Sequence, residues 1–228
     1  MKDRVNVSLV QFDAEWLDSA ANGKRMAEFV LAEATQHGAE LVVFPEMANT
    51  GYVEPFTNAE FARRMQEEAE TVPGPTTDLL VEAARTGNVH VIVGLTRRHD
   101  TIPGVLYNSA VLIGPDGIIG IHDKVHAAMD EKNYFVAGNT IDVFDTDLGR
   151  IALEICYDVR FPELARIQAL KGAEIIVSVW SSFVQPGKVP SASIIERCAT
   201  RSMENGLFFL GCNRSGLEND RLYYGRSA

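Results

Sequence analysis

The segment that decides the fold is residues 151–166, which read Ile-Ala-Leu-Glu-Ile-Cys-Tyr-Asp-Val-Arg-Phe-Pro-Glu-Leu-Ala-Arg. The first five residues are mostly apolar and predict a short buried strand. The residues after Tyr157 predict a turn and then a helix, whose N-terminal N–H groups and dipole favour negative charge. This junction would present Cys156 at the carboxyl edge of a sheet, where a thiolate or an oxyanion would be stabilised. Free cysteine is also among the most buried residue types, so this residue alone does not separate a nucleophile from an inert core thiol.

The composition is that of an ordinary globular protein. The chain has 228 residues, of which 46% are hydrophobic and 23% charged. Its net charge of −10 argues against a nucleic acid or an anionic membrane as partner. The three cysteines form no CxxC pair and share no zinc-ligand spacing with the five histidines, which predicts free thiols and no metal site. Neither a signal peptide nor a membrane-length apolar run is visible, so we expect a cytoplasmic protein.

Apolar segments alternate with helical patterns along the chain. A strand at 5–12, a helix ending near His37 and Gly38, and a strand at 39–44 predict a βαβ unit of an α/β fold. Composition is even throughout, so we expect one domain over 1–228. Thr76 or Thr77 is the expected cap of the third helix. Further helices are predicted at 59–69, 76–86, 160–171 and 191–205, and further strands at 89–96, 105–113, 118–122, 141–146, 150–155, 174–180 and 207–213.

Three residues with complementary chemistry each follow a predicted strand: Glu46, Lys124 and Cys156. The carboxyl ends of strands are where sites form in α/β sheets. A thiol with an ordinary pKa of about 8.5 needs a base or a cation nearby to become nucleophilic. Glu46 could take the thiol proton and pass it to a leaving amine, while Lys124 would lower the thiol pKa and stabilise an oxyanion. The alternative is that Glu46 merely ends a strand and that Lys124 is a solvated surface residue.

These residues lie in segments that resemble the three signature blocks of the nitrilase superfamily, the carbon–nitrogen hydrolases. The resemblance runs from Val5 to the last residue, with the blocks in the family's order. It implies an α-β-β-α sandwich of four layers that is extended on dimerisation, a Glu-Lys-Cys triad, and no metal or organic cofactor. The matching segments are Phe44-Pro45-Glu46 with Thr50-Gly51-Tyr52, Asp123-Lys124-Val125-His126, and Ile155-Cys156-Tyr157-Asp158-Val159-Arg160-Phe161-Pro162-Glu163.

The resemblance also implies a role for each matching residue. Glu46 would be the general base, Lys124 the cation that stabilises the intermediate, and Cys156 the nucleophile. Glu131 matches a second glutamate that family members carry shortly after the lysine, and it would position the lysine and the substrate. Its neighbour Asp130 is expected to be a solvated loop residue.

The residues after the cysteine resemble the amidase side of the family, including ω-amidases. We therefore predict cleavage of the C–N bond of a small linear amide through a cysteine thioester, with release of ammonia. An N-carbamoyl-amine hydrolase or a nitrilase with the same triad is the first alternative. A catalytically silent member that binds a metabolite or a partner is the second. A cysteine protease is disfavoured, because no histidine lies at a strand end in obvious partnership with Cys156; His126, two residues after Lys124, is the nearest candidate.

Four further residues are candidate substrate contacts. Tyr52 follows the Glu46 segment, the backbone N–H of Tyr157 could donate to the oxyanion, and Trp180 and Ser181 follow another predicted strand. A structural tyrosine or a packing tryptophan is the alternative for two of them. The partner expected is a small-molecule amide.

Structural roles are expected for the charged pair Arg160 and Glu163, which could form an ion pair that holds the turn. Glu154 departs from the family pattern, which has a small or apolar residue there. If it points inward, it needs a partner or it shifts nearby pKa values. Relatives usually continue past the position of Ala228, so we expect the sequence to lack its last C-terminal strands, and we expect a homodimer or a higher homo-oligomer.

Overall fold

A computed structural model describes residues 2–52, 59–184, 194–218 and 221–228. In these ranges the chain forms four stacked layers, helices outside and two sheets inside, which confirms the predicted α-β-β-α sandwich. The helices are α1 (Ser19–His37), α2 (Ala59–Glu68), α3 (Pro75–Gly87), α4 (Pro162–Leu170) and α5 (Ile194–Asn205). The strands are β1 (Val7–Leu9), β2 (Leu41–Val43), β3 (His90–Arg98), β4 (Leu106–Gly114), β5 (Gly117–Asp123), β6 (Val143–Thr146), β7 (Gly149–Ile155), β8 (Ile175–Trp180), β9 (Phe183–Val184), β10 (Phe208–Asn213), β11 (Ser215–Glu218) and β12 (Arg221–Tyr224).

The two large sheets are mixed. The first has the order β1-β2-β3-β4-β5, with β1, β2 and β3 parallel and β4 and β5 added as an antiparallel hairpin. The second has the order β10-β8-β7-β6, with β10, β8 and β7 parallel. A small antiparallel sheet of β11, β12 and β9 lies apart from them.

The central core lies between the two large sheets. Strand β2 is buried along its whole length, as is β8, because each strand has a sheet on one face and helices on the other. This two-sided burial explains why both strands read as continuous apolar runs rather than as alternating patterns. Helices α1 and α3 cover the outer face of the first sheet, and α4 and α5 cover that of the second. Side chains that fill the space between the sheets include Leu41, Val43, Ile92, Leu112, Ile151, Leu153, Ile155, Ile175, Val177 and Val179.

Helix ends differ from the predictions at two places. The N-cap of α3 is Gly74, so the prediction of Thr76 or Thr77 as cap is wrong; the hydroxyl of Thr77 instead accepts a hydrogen bond from the Gly74 N–H at 2.8 Å. The helix predicted at 160–171 begins later than expected. A 3-10 turn covers Cys156–Arg160, and α4 begins only at Pro162, where proline's fixed φ and missing N–H suit the first turn.

The strand ends bring the chemistry-bearing residues to one edge. Glu46 follows β2, Lys124 directly follows β5, and Cys156 directly follows β7. None of the helices in the described ranges is long and apolar enough to cross a membrane.

Candidate active site

Glu46 is fixed in a buried loop. Its side chain is fully covered, and its Oε1 accepts hydrogen bonds from Lys124 Nζ and from Asn108 Nδ2, each at 2.7 Å. Its Oε2 is also buried and has no hydrogen-bond partner in the described part of the chain. Burial raises the pKa of Glu46, although the Lys124 ammonium acts in the opposite direction. One carboxylate oxygen of Glu46 therefore accepts two hydrogen bonds, and the other accepts none from the described residues.

Close packing against Gly94 of β3 holds the Glu46 loop. The Gly94 N–H donates to the Pro45 carbonyl at 3.2 Å, and the Gly94 carbonyl accepts from the Ala48 N–H at 2.7 Å. A Cβ atom at this glycine would lie 2.5 Å from the Glu46 Cα and 2.5 Å from the Pro45 carbonyl oxygen. Only glycine permits two backbones to approach this closely.

Lys124 lies between two carboxylates. Besides its bond to Glu46, its Nζ donates to the Glu131 carboxylate at 2.9 Å. Glu131 is itself held by the Ala128 N–H at 2.8 Å and by the Tyr52 hydroxyl at 2.5 Å. Burial alone would lower the pKa of Lys124, but Glu46 and Glu131 together raise it above its ordinary value. Lys124 is thus a cation with one N–H donor not used by these two carboxylates.

Cys156 sits at a strained turn. Its φ is +46°, in the left-handed region that side-chain-bearing residues rarely adopt, and it begins the 3-10 turn after β7. The Ser181 backbone N–H lowers the pKa of the thiol. Burial raises the pKa of the Cys156 thiol to about 12, and Glu46 adds to the rise. Lys124 lowers the thiol pKa, as the sequence predicted, but it does not outweigh burial and the carboxylates.

Asp158 joins the cysteine turn to the lysine loop, a connection that the sequence analysis missed. Its Oδ1 accepts from the His126 N–H at 2.8 Å and lies 2.9 Å from His126 Nδ1. Its Oδ2 accepts from the Ile155 N–H at 3.2 Å and lies 3.4 Å from His122 Nε2. Burial alone would raise the pKa of Asp158, but the contacts with His122 and His126 lower it to about 2. His126 is therefore engaged with Asp158, and its ring stacks on Phe161 at 3.6 Å between centroids.

Glu154 points away from the site, under the helices that cover the second sheet. It is completely buried, and neither carboxylate oxygen has a hydrogen-bond partner within the described ranges. Burial raises the pKa of Glu154 well above its ordinary value, Asp158 adds to the rise, and Arg201 opposes it. Arg201 acts on Glu154 at a distance rather than as an ion-pair partner. These conditions favour a neutral carboxyl group at Glu154.

A pocket of about 310 Å³ opens over the cysteine. Of the predicted substrate contacts, Tyr52, Tyr157 and Ser181 line it. The Ser181 hydroxyl also donates to the Glu46 carbonyl at 2.9 Å, which ties the loop after β8 to the base. The described residues that line the pocket are Tyr52, Ala128, Met129, Cys156, Tyr157, Arg160, Ser181, Ser182, Phe183, Val184, Arg197 and Tyr224.

Two of the residues that sequence patterns singled out, Trp180 and Arg160, lie elsewhere or make other contacts, and a third, Asp130, lies as expected. Trp180 is buried in the core under α4 and α5, its indole N–H donates to Ser178 at 2.7 Å, and it is not among the described residues that line the pocket. Asp130 is exposed, as a solvated loop residue would be. Arg160 forms no ion pair with Glu163; its guanidinium lies 5.1 Å from the centre of the Tyr157 ring instead.

Asn108 is the other site residue that the sequence analysis missed. Its amide shares Glu46 Oε1 with Lys124, and its backbone carbonyl accepts from the Lys124 N–H at 2.8 Å. An asparagine inside the apolar run of β4 was the available signal, because a buried amide needs partners. In the ranges described, no group of three or more His, Cys, Asp or Glu side chains could hold a metal ion.

A buried thiol, a carboxylate with a free oxygen and a lysine cation thus lie together on a four-layer α-β-β-α scaffold. The sequence model of the carbon–nitrogen hydrolase family matches residues 6–228. The chain therefore belongs to the carbon–nitrogen hydrolases, the nitrilase superfamily, and is an enzyme that cleaves C–N bonds.

The named relatives include both nitrilases and amidases. The chain is 36% identical over 225 residues to a nitrilase of Pyrococcus abyssi, covering 98% of this chain and 80% of the relative. It is 31% identical to an (R)-stereoselective amidase of a Pseudomonas species, covering 96% and 74%. An omega-amidase of Xenopus laevis is 33% identical over 76% of this chain and 62% of its own. An amidase structure from a Nesterenkonia species superposes with a TM-score of 0.77 at 25% identity, covering 97% of this chain and 80% of that one.

Proposed function

We propose that the protein hydrolyses small linear amides, with Cys156 as nucleophile, Glu46 as general base and Lys124 as oxyanion donor. The observation that carries the proposal is that the two carboxylate oxygens of Glu46 have different surroundings. One oxygen accepts hydrogen bonds from Lys124 and Asn108, and the other is buried without a partner in the described structure. The Glu46 carboxylate as a whole acts electrostatically on the Cys156 thiol, whose pKa it raises. A free carboxylate oxygen in a dry site is suited to accept a thiol proton.

The first half of the reaction forms a thioester. Glu46 Oε2 takes the proton of the Cys156 thiol as the sulfur attacks the amide carbon, and a tetrahedral oxyanion forms. The unused N–H of Lys124 donates to that oxyanion, and the Tyr157 backbone N–H is the second donor. Glu46 then gives its proton to the nitrogen, the C–N bond breaks, and ammonia leaves with the acyl group held on sulfur.

The second half returns the free enzyme. Water enters where ammonia left, and Glu46 takes one of its protons as the oxygen attacks the thioester carbon. The second tetrahedral intermediate collapses, the C–S bond breaks, and the proton returns to the sulfur. The products are a carboxylic acid and the Cys156 thiol. Because each transfer uses the same oxygen of Glu46, one carboxylate serves as base, acid, base and acid in turn.

The raised pKa of Cys156 suits this route. With a pKa near 12, the thiol carries almost no negative charge at pH 7, so a resting thiolate–imidazolium pair of the papain kind does not describe it. The proton has to leave during the attack, and Glu46 is the base placed to receive it. Glu131 and Tyr52 would keep Lys124 in position rather than react themselves.

The relatives support the amide reaction without deciding the substrate. Three of the similar proteins named above are amidases and one is a nitrilase. The chemistry of the triad also admits N-carbamoyl amines and nitriles as substrates, as the sequence analysis allowed.

The test is ammonia release from a panel of small linear amides, N-carbamoyl amines and nitriles. We expect release from amides, loss of at least about 10⁴-fold in Cys156→Ala and a comparable loss in Glu46→Gln, since triad members act as a unit. Cys198→Ala is the matched control, because Cys198 is a buried thiol on α5 that does not line the pocket. Release only from nitriles or carbamoyl amines would transfer the assignment to that reaction. No release from a folded protein would favour the binding-only alternative.

We also propose that the protein is at least a homodimer through α4 and α5. Leu170 and Met203 on these helices are 79% and 78% exposed, which is unusual for large apolar side chains. Light scattering behind a sizing column tests this: Leu170→Glu should shift a dimer toward monomer, and a monomeric parent would contradict the proposal.

A further inference from the structure

A row of three polar side chains crosses one end of the first large sheet. Arg97 lies near the end of β3, Ser109 lies in β4, and Asp123 is the last residue of β5. Arg97 Nε donates to the Ser109 hydroxyl at 3.0 Å, and its Nη2 donates to the two carboxylate oxygens of Asp123 at 3.0 and 2.8 Å. The Ser109 hydroxyl donates to the same carboxylate at 2.5 Å. This row therefore fastens three strands to one another.

The row lies on the outer face of the sheet, whereas the site lies on the inner face. Val111 packs in the core under α1 and α3, so Ser109, two residues before it in β4, faces the same outer side. Asp123 is the cross-strand partner of Ser109 and shares that face. Asn108 and Lys124 are their neighbours in the chain and point to the opposite side, where both donate to the base.

The row thus adjoins the two donors that hold Glu46 Oε1. Asn108 directly precedes Ser109, Lys124 directly follows Asp123, and each donor lies 2.7 Å from that oxygen. The Lys124 N–H also donates to the Asn108 carbonyl at 2.8 Å, so the two donors are joined through the backbone as well. A shift of β5 relative to β4 would therefore move the Lys124 ammonium relative to both the base and the thiol.

The contacts of Arg97 are suited to resist such a shift. Its side chain is 13% exposed and that of Asp123 is 22% exposed, so water screens their attraction less than it screens an ion pair on the surface. The planar guanidinium is held at two of its nitrogens, which fixes its direction as well as its distance. The Tyr107 ring lies 4.3 Å from the guanidinium carbon and supports one face of the group.

We propose that Arg97 is a positioning residue for the reaction: by holding the end of β5 from the outer face, it keeps the unused N–H of Lys124 directed at the oxyanion. This rests on the proposed amide hydrolysis, because it assigns an indirect role in that reaction to a residue outside the described lining of the pocket. Asp123 is the link, since its carboxylate is held by Arg97 while the next residue in the chain carries the ammonium.

Alkylation of Cys156 by iodoacetamide reports the position of Lys124 without any substrate. Lys124 lowers the pKa of the thiol, and below that pKa the alkylation rate follows the fraction of thiolate. When the row is broken and the ammonium moves away, the rate at pH 9 should fall, by about threefold to tenfold in Arg97→Gln. Simple loosening of the fold predicts the opposite result, because opening exposes buried thiols and speeds their labelling, at Cys198 as well.

Two single variants separate positioning from a direct effect of charge. Arg97→Gln removes a positive charge and Asp123→Asn removes a negative one, so a direct effect on the thiol would change the alkylation rate in opposite directions. Positioning predicts a fall in both, and the double variant should be no slower than the slower single variant, because the two residues share one contact. Arg97→Lys keeps the charge and should lie between the parent and Arg97→Gln. Arg98→Gln, at the exposed next residue of β3, is the matched control and should behave as the parent.

Turnover gives the second readout. With an amide that the parent hydrolyses, Arg97→Gln and Asp123→Asn should each lower kcat by about tenfold and leave KM within about threefold, because a misdirected oxyanion donor weakens the transition state rather than substrate binding. Slower alkylation in both variants of a parent that hydrolyses no amide would overturn the amide reaction and leave the positioning of Lys124 standing. Unchanged or faster alkylation of Cys156 in Arg97→Gln, or opposite changes in the two single variants, would overturn the positioning role.

Discussion

Replacing Asp158 by asparagine should weaken both the fold and the reaction. The carboxylate receives the Ile155 and His126 N–H groups and contacts both histidine rings, and an amide has only one acceptor oxygen to offer them. The contacts lower the pKa of Asp158 from 3.8 to about 2. A shift of nearly two units corresponds to roughly 2–3 kcal/mol of the free energy of unfolding at neutral pH. For a chain of this size, that is a fall in melting temperature of roughly 5–10 °C.

The lowered pKa of Asp158 also determines the pH range in which this side chain stabilises the fold. Because the folded-state pKa of Asp158 lies below the ordinary value, its contribution is present above about pH 4 and is lost as the pH falls toward about 2. Urea unfolding of the parent and of Asp158→Asn should therefore differ by roughly 2–3 kcal/mol at pH 7, and by less at pH 3. The activity of Asp158→Asn should fall by more than its loss of stability explains, because the hydrogen bond from the Ile155 N–H to Asp158 holds the residue that precedes Cys156.

Asp130→Asn is the control for this experiment, because Asp130 is an exposed carboxylate in the same loop as Glu131. It should behave as the parent at both pH values. A difference of under about 0.5 kcal/mol between the parent and Asp158→Asn at pH 7, a size ordinary for surface substitutions, would refute the structural role.

Three other variants test the surroundings of the triad. Glu154→Gln should leave the free energy of unfolding unchanged near pH 4 and increase it at higher pH. The reason is that the pKa of Glu154 is raised in the folded state, so the parent loses stability as the pH rises from about 4.5, the ordinary pKa, toward the folded-state pKa. Equal urea midpoints of the two proteins at pH 8 would contradict the neutral buried carboxyl. Gly94→Ala should destabilise the fold by about 1–3 kcal/mol and abolish most activity, because the new methyl group collides with the Glu46 backbone; retained kcat with a parent-like melting curve would argue against that close approach. Tyr52→Phe should lower kcat by about tenfold by freeing Glu131, with KM little changed; an effect on KM alone would show that Tyr52 contacts substrate instead.

Much of the scaffold could be predicted from sequence because its signals are local. The continuous apolar runs of β2 and β8 predict strands buried on both faces, and the glycine after His37 marks the end of α1, where Gly38 adopts φ of +65°. Even so, the cap of α3 was misassigned. The threonines there have the right chemistry, but the turn places Gly74 at the cap and Thr77 inside the helix.

The site was predictable where chemistry is carried by single residues at strand ends, as with Glu46, Lys124 and Cys156. It was not predictable where a role depends on a partner far along the chain. Asn108 lies 62 residues from Glu46, and its contact with that carboxylate follows from the pairing of β3 with β4. Asp158 likewise owes its role to histidines that β5 and the lysine loop bring to it.

For Trp180 and Arg160, the sequence pattern suggested a contact that the described structure does not show. A tryptophan at a strand end suggested a substrate contact, but alternation along β8 turns its ring into the core under α4 and α5. Arg160 and Glu163 have the spacing of an ion pair on a helix, yet a 3-10 turn precedes α4 and breaks the helical geometry between them.

The central claim is that Cys156 forms a thioester with the acyl part of an amide. The most direct measurement is intact-mass spectrometry of acid-quenched enzyme during turnover, followed by peptide mapping. The account predicts a mass gain equal to the acyl group on the peptide that contains Cys156, and none in Cys156→Ala. Continued ammonia release by Cys156→Ala, with no acyl group on the parent's Cys156, would contradict it.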